Sequence, residues 1–333
     1  MTAQVETGGD PVYVSCEWGE LKECVYGAPH DFVFSKWLSD ANCRPWGEFR
    51  DLWKANQGKS LRDVDPDRFA RFQSQVQGAI DFLRSHGVTV HIPEPQSDWN
   101  MKYPRGENHG DMTAWMRDPF VTIGNNVIEL APRSMFHRRQ RYPIRSILAT
   151  TMNRGAKYYS QPDPGPEEDL HGKPGWGYLE GGDILHLGRK IFVGHSGNCS
   201  NMEGVHWLQH MLGDEYDVEQ VNIDDRFSHL DCVMLAPREG VAVVCLEALP
   251  DGVPDYMKDW DLIDIPFEIT KPHMGCNNLT MNDHFVVVPE GEVHERLASE
   301  LKKRKFEVAR LPYESVYWVG GSFRCGHQPL IRI

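Results

Sequence analysis

A chain of 333 residues, 40% hydrophobic and 11% aromatic, carries enough apolar side chains for a substantial buried core and is expected to be globular. Its formal charge of −13 argues against a nucleic-acid partner, and the one basic cluster, HRRQR at 137–141, is short. No apolar run approaches the roughly 20 residues that span a bilayer, so no membrane partner is expected either.

Taken in chain order, residues 1–14 read as a disordered segment and residues 15–333 as one domain, since no linker divides them. LKECVYGAP (21–29) opens a first unit; Phe69, Phe72, Val76, Ile80 and Leu83 form a helical stripe, and VTVHIP (88–93) supplies a closing strand. Four hairpins follow: RDPFVTIGNNVIEL (117–130), GDILHLGRKIFVG (182–194), LDCVMLAPREGVAVV (230–244) and NNLTMNDHFVVV (277–288). Turn residues such as Gly124-Asn125-Asn126 and Asn282-Asp283 are expected to supply the positive backbone angles that hairpins use. A helix and a further strand are expected after each hairpin, most clearly where Val293, Leu297 and Leu301 precede FEVARLP. QPDPGPEEDLHGKPG (161–175) reads as a long loop and a flap over a site. Five such units imply an α/β class protein with blades packed around a centre.

Eight cysteines, at 16, 24, 43, 199, 232, 245, 276 and 325, show no CxxC pairing, the usage of reduced thiols in a cytoplasmic protein. One of them, Cys325, sits in the glycine-led stretch GGSFRCGHQPL, a setting that a purely structural thiol does not need. Polar clusters also fall at the openings of the other units: Arg117-Asp118, Glu180-Gly-Gly-Asp183 and His229-Leu-Asp231. Singly these read as a strand-start ion pair, a turn and a satisfied core histidine; converging on one centre, they make a thiol, an imidazole and several carboxylates. A nucleophilic cysteine needs a base or a cation, because its ordinary pKa of about 8.5 leaves little thiolate at neutral pH. Carboxylates oppose that ionisation, so the set suits a cationic substrate such as a guanidinium, which carboxylates grip through parallel hydrogen bonds. His206 and His210 in HWLQH lack a third ligand, and His195 with Cys199 reads as an ordinary loop, so no metal is expected. Nucleotide-binding and serine-hydrolase motifs are absent from the sequence.

From about Trp18 onward the chain resembles the amidinotransferases of the guanidino-group-modifying superfamily, which include arginine:glycine and arginine:inosamine-phosphate amidinotransferases. The likeness is carried by Met116–Asp118, VTIGNNVIELAPRSMF, YPIRSILATTMNRGAKYYSQP, GGDILHLGRKIF, HLDCVM, NNLTM and GGSFRC, in that order. It implies a five-bladed α/β propeller of ββαβ repeats, with Cys325 attacking the guanidinium carbon, His229 protonating the departing amine and an amidino-cysteine intermediate. Glu180 would orient His229, in a place where the transferases usually carry aspartate. Asp118 and Asp231 would hold the guanidinium nitrogens, with Arg117, Asp183 and Asn278 as further substrate-binding residues. No cofactor is implied; the partners are a guanidino donor and an amine acceptor, the latter conceivable as glycine, a polyamine, an amino sugar or an intermediate of specialised metabolism, and a homodimer is expected. Two departures concern the donor. The arginine that grips its carboxylate corresponds by ungapped counting to Ala248, and an assisting serine to Cys276, leaving Arg238 as a substitute. Hydrolysis of a guanidino compound by the same residues is the second reading, and a catalytically silent binding module the third.

Overall fold

The stripe of Phe69, Phe72, Val76, Ile80 and Leu83 is the buried face of a helix at Pro66–Ser85. Asp65 caps it by accepting from the Arg68 backbone N–H at 3.0 Å, and Pro66 occupies the first turn, where a missing N–H costs nothing. Each such side chain, fully buried, contributes about 1.5–3 kcal/mol. The computed structural model describes residues 9–28, 30–34, 47–97, 99, 113–163 and 176–333.

Among the described residues, four three-stranded sheets share one plan. An antiparallel hairpin comes first, and a third strand then joins the hairpin's second strand in parallel. The sets are Phe120–Ile123, Asn126–Glu129 and Lys157–Ser160; Ile184–Leu187, Lys190–His195 and Asp217–Asn222; Met234–Arg238, Val241–Val244 and Asp261–Asp264; and Leu279–Asn282, Phe285–Pro289 and Glu307–Leu311. The fifth sheet uses both ends of the chain. His327–Arg332 pairs antiparallel with Leu21–Tyr26, Thr89–His91 follows in parallel, and Tyr13–Val14 lies along the other edge of the C-terminal strand. All six residues of His327–Arg332 are buried. This pairing closes the set of five sheets, the arrangement of a five-bladed α/β propeller.

Three features depart from the sequence expectation. Residues 9–14 are ordered rather than disordered: Tyr13 pairs with Ile331, and Val12 and Val14 are buried. Between Val241–Val244 and Asp261–Asp264 no α-helix forms; two 3₁₀ turns, Leu246–Ala248 and Asp255–Met257, take its place. Pro250, Gly252 and Pro254 fall inside this connection, and each opposes a continuous helix. The hairpin turns take their positive φ from Gly124, Gly188 and Gly240, whereas Asn125, Asn282 and Asp283 keep negative values. Asn282 instead serves its turn through its side chain, accepting from the His284 N–H at 3.1 Å. The expected flap falls largely at residues 164–175, outside the described residues. Among the described residues no helix is long and apolar enough to cross a membrane.

Candidate active site

A short polar segment precedes the first strand of each hairpin: Arg117-Asp118, Gly181–Asp183, Leu230–Cys232 with His229 before it, and Asn277-Asn278. The helical turn Phe323–Gly326 does the same ahead of the C-terminal strand. Hydrogen bonds tie these five segments together. The Gly181 N–H donates to the Asp118 carbonyl, the Leu230 N–H to the Asp183 carboxylate, the Asn277 side chain to the Asp231 carbonyl and the Arg117 N–H to the Cys325 carbonyl, all at 3.0–3.1 Å.

Side chains meet where the segments meet. The Cys325 thiol lies 3.6 Å from Asp231 Oδ2 and 3.1 Å from Asn277 Nδ2, and the Cys325 N–H donates to Asn277 Oδ1 at 3.1 Å. His229 Nε2 is held by Glu180 Oε2 at 2.8 Å, leaving Nδ1 3.8 Å from Asp118 Oδ1. Glu180 is itself fixed, since its Oε1 accepts from the Arg133 N–H at 3.0 Å. Gly182 explains one feature of the Glu-Gly-Gly-Asp sequence: a Cβ there would stand 2.8 Å from His229 Cγ and 2.9 Å from Asp118 Oδ1. Only a residue without a side chain lets imidazole and carboxylate sit over that backbone.

A cavity of about 540 Å³ opens onto Asp118, His137, His229, Cys232 and Cys325. Its wall adds Trp115, Phe227, Lys271 and Trp318, with Arg68 and Arg71 also reaching it. Four of the expected substrate-binding residues face elsewhere. Arg117 donates to Gln328 Oε1 at 2.6 Å and to the Arg324 carbonyl at 3.3 Å, so it braces the centre. Asp183 accepts from the Leu230 and Ser200 N–H groups and staples one segment to the next. The Asn278 amide turns to the Gly275 carbonyl at 2.9 Å, while its neighbour Asn277 takes the position beside the thiol. Arg238 lies away from the cavity, stacked on Phe306 and donating to the Arg304 carbonyl. Ala248 and Cys276 are fully buried in the apolar core and do not line the cavity.

Asn277, His137 and Lys271 had no place in the sequence reading. The signal for Asn277 was present, because it occupies in NNLTM the position that His229-Leu-Asp231 occupies in its own repeat; choosing between two adjacent asparagines needed the register. His137 comes within 3.6 Å of Asp118 from the basic cluster at 137–141. Lys271 donates to the Arg226 carbonyl and lies 5.1 Å from the Phe227 ring.

Beneath the thiol lies a buried ion network. Glu17 receives two hydrogen bonds from Arg324, whose remaining nitrogen sits 3.2 Å from Asp231 Oδ2. Burial opposes ionisation of Glu17, but Arg324 and Arg117 hold its carboxyl well below the usual range. Burial would depress His229, yet Asp118, Cys199 and Glu180 outweigh it and raise the imidazole well above its ordinary value. Burial raises Asp118, against the pull of His229 and His137. The Cys325 thiol is pushed well above the ordinary thiol range by the neighbouring Cys232 thiol, by burial and by Asp231. Without a substrate, the centre therefore favours the protonated imidazole and disfavours the thiolate. A cation placed between Asp118 and Asp231 reverses the penalty on the thiol.

Among the described residues, two groups bring metal-ligating atoms within 4.8 Å of one another, Glu180 with Cys199 and His229, and Asp118 with His137 and Glu180. Both are built around the carboxylate–imidazole contacts already described. His206 and His210 belong to neither.

The family described as N,N dimethylarginine dimethylhydrolase, eukaryotic, matches residues 68–332. The L-arginine:L-lysine amidinotransferase of Pseudomonas savastanoi pv. phaseolicola is 24% identical over 95% of this chain and 92% of its own. SxtG, an amidinotransferase of the saxitoxin biosynthetic pathway from Microseira wollei, superposes with a TM-score of 0.79 at 22% identity, covering 97% of both chains. The dimethylarginine hydrolase from Pseudomonas aeruginosa superposes less closely, with a TM-score of 0.64 at 16% identity over 93% of this chain and 99% of that one.

Proposed function

This chain belongs to the N,N dimethylarginine dimethylhydrolase family, and within it we propose that its own reaction is transfer of an amidino group from arginine or a related guanidino donor to an acceptor amine. The observation that carries this reading is one thiol and one imidazole facing a cavity with the Asp118 carboxylate, while Asp231 lies 3.6 Å behind the thiol and Glu180 holds the imidazole. The likeness to the amidinotransferase of Pseudomonas savastanoi, which runs nearly end to end, supports transfer over hydrolysis.

A guanidinium held by Asp118 and Asp231 brings the positive charge that lets Cys325 ionise. The Cys325 thiolate attacks the central carbon and forms a C–S bond. Asn277, fixed by the Cys325 N–H, donates to the sulfur and aims it. His229, charged and held through Nε2 by Glu180, gives its Nδ1 proton to the departing amine as the C–N bond breaks. An amidino-cysteine remains. The now neutral His229 takes a proton from the incoming amine, which attacks the same carbon and releases the thiolate. Arg324 pairs with Asp231 at 3.2 Å and holds its carboxylate in place throughout.

Hydrolysis is the second reading, favoured by the family itself, in which water rather than an amine relieves the intermediate. Intact-mass measurement after rapid quench with arginine, agmatine or short guanidino acids separates the two, with Cys325→Ala as control. A bare amidino adduct on Cys325, released by an amine as a new guanidino product, is expected. An adduct that keeps the donor's carbon chain means ammonia or a small amine left first, and it overturns amidino transfer.

A further inference from the structure

Cys232 follows Asp231 directly and lines the same cavity as Cys325. Among the described cysteines these are the two that do so. Their thiols flank one carboxylate: Cys232 Sγ lies 3.6 Å from Asp231 Oδ1, and Cys325 Sγ lies 3.8 Å from the same oxygen. One carboxylate oxygen thus stands beside both sulfurs. Nothing in the amidino-transfer steps uses Cys232. Two thiols beside one carboxylate oxygen, both lining a cavity large enough for a small oxidant, have a chemistry of their own.

We propose that Cys232 and Cys325 form an oxidation site at which a hydroperoxide converts the pair into an intramolecular disulfide. Cys325, once its thiol has given up its proton, attacks the terminal peroxide oxygen and the O–O bond breaks. This leaves a sulfenic acid on Cys325 and releases water or an alcohol. The Cys232 thiolate then attacks the Cys325 sulfur, the S–O bond breaks, and the hydroxide leaves as water after taking a proton. The two sulfurs together lose two electrons, and the peroxide gains them. Cys232 thus acts as a resolving thiol that stops Cys325 short of irreversible sulfinic acid, and a dithiol reductant reverses the reaction.

The site rests on the two thiols and the cavity rather than on the transferred group, so its test is a chemical map, not an activity. The full chain is treated with hydrogen peroxide, its remaining thiols are alkylated, and the peptides are mapped without reduction. The expected result is a cross-linked peptide pair joining Cys232 to Cys325, two alkylatable thiols lost and both recovered with dithiothreitol. In Cys232→Ser the cross-link is absent, and Cys325 advances to sulfinic acid that dithiothreitol does not restore. A wild-type map with Cys325 as sulfinic acid and Cys232 still alkylatable overturns the proposal. So does a disulfide from Cys325 to another cysteine, or no thiol lost under excess peroxide. The wild-type map decides the matter alone should Cys232→Ser fail to fold.

Discussion

The reacting end of the cavity and its outer wall are built by different rules. The reacting end comes from equivalent positions in five repeats: Asp118, Glu180, His229 with Asp231, Asn277 and Cys325 each stand just ahead of a strand. The outer wall comes from what differs between repeats: Lys271 on the helix Phe267–His273, Arg68 and Arg71 on Pro66–Ser85, and Trp318 after the turn Glu314–Tyr317. In the proposed reaction repetition supplies the reacting groups, because pseudo-symmetry brings equivalent edges to one centre. Variation between repeats is left to choose the substrate. The donor-binding positions that the family resemblance marks, Ala248 and Cys276, fall in neither region, because both are packed into the apolar core.

Substitutions at the reacting end should remove turnover, and those at the wall should change only which substrate is turned over. Cys325→Ala is the largest expected loss, about 10³-fold or more in kcat with no adduct in the mass spectrum. Glu180→Gln follows, with kcat down about 10–100-fold. Its pH profile carries the sharper information. Glu180 is one of the groups that raise His229, so without its charge the imidazolium loses its proton at lower pH, and the alkaline limb of kcat should move down. An unmoved limb would mean that Glu180 acts on packing alone. Gly182→Ala should cost about 1–3 kcal/mol of stability, read by denaturant unfolding, because its Cβ would press on His229 and Asp118 at 2.8–2.9 Å.

At the wall, Lys271→Met should raise KM about tenfold for a guanidino donor bearing a carboxylate and leave agmatine within about twofold. Equal losses for both donors would place Lys271 in the scaffold instead. The smallest effect tests the electrostatic link between the two regions. Alkylation of Cys325, followed by peptide mapping, should have a midpoint above the ordinary thiol range in the free protein. Adding a guanidinium compound that does not react should lower that midpoint by about one unit.

Much of this was legible in the residues. The hairpins, the stripe from Phe69 to Leu83 and the polar clusters at the strand openings are local patterns, and local spacing survives folding unchanged. The missing helix between Val244 and Asp261 was legible too, in Pro250, Gly252 and Pro254, but the regularity of the other repeats masked it. Arg117, Asp183 and Asn278 were chosen for their company in motifs. Their side chains instead brace the centre, through Gln328, the Leu230 N–H and the Gly275 carbonyl respectively.

The sequence by itself determined which chemical groups are present and that they recur at the start of repeated units, because both follow from covalent order. Only the tertiary structure decided that Asn277 rather than Asn278 meets the thiol, since adjacent residues on an extended chain point to opposite sides and a one-residue change of register exchanges them. It also decided that His327–Arg332 closes the ring against Leu21–Tyr26, a pairing between segments some three hundred residues apart. No local pattern can announce such a partner, because the strand is satisfied only once the other four units have formed the curve that brings the two ends of the chain together.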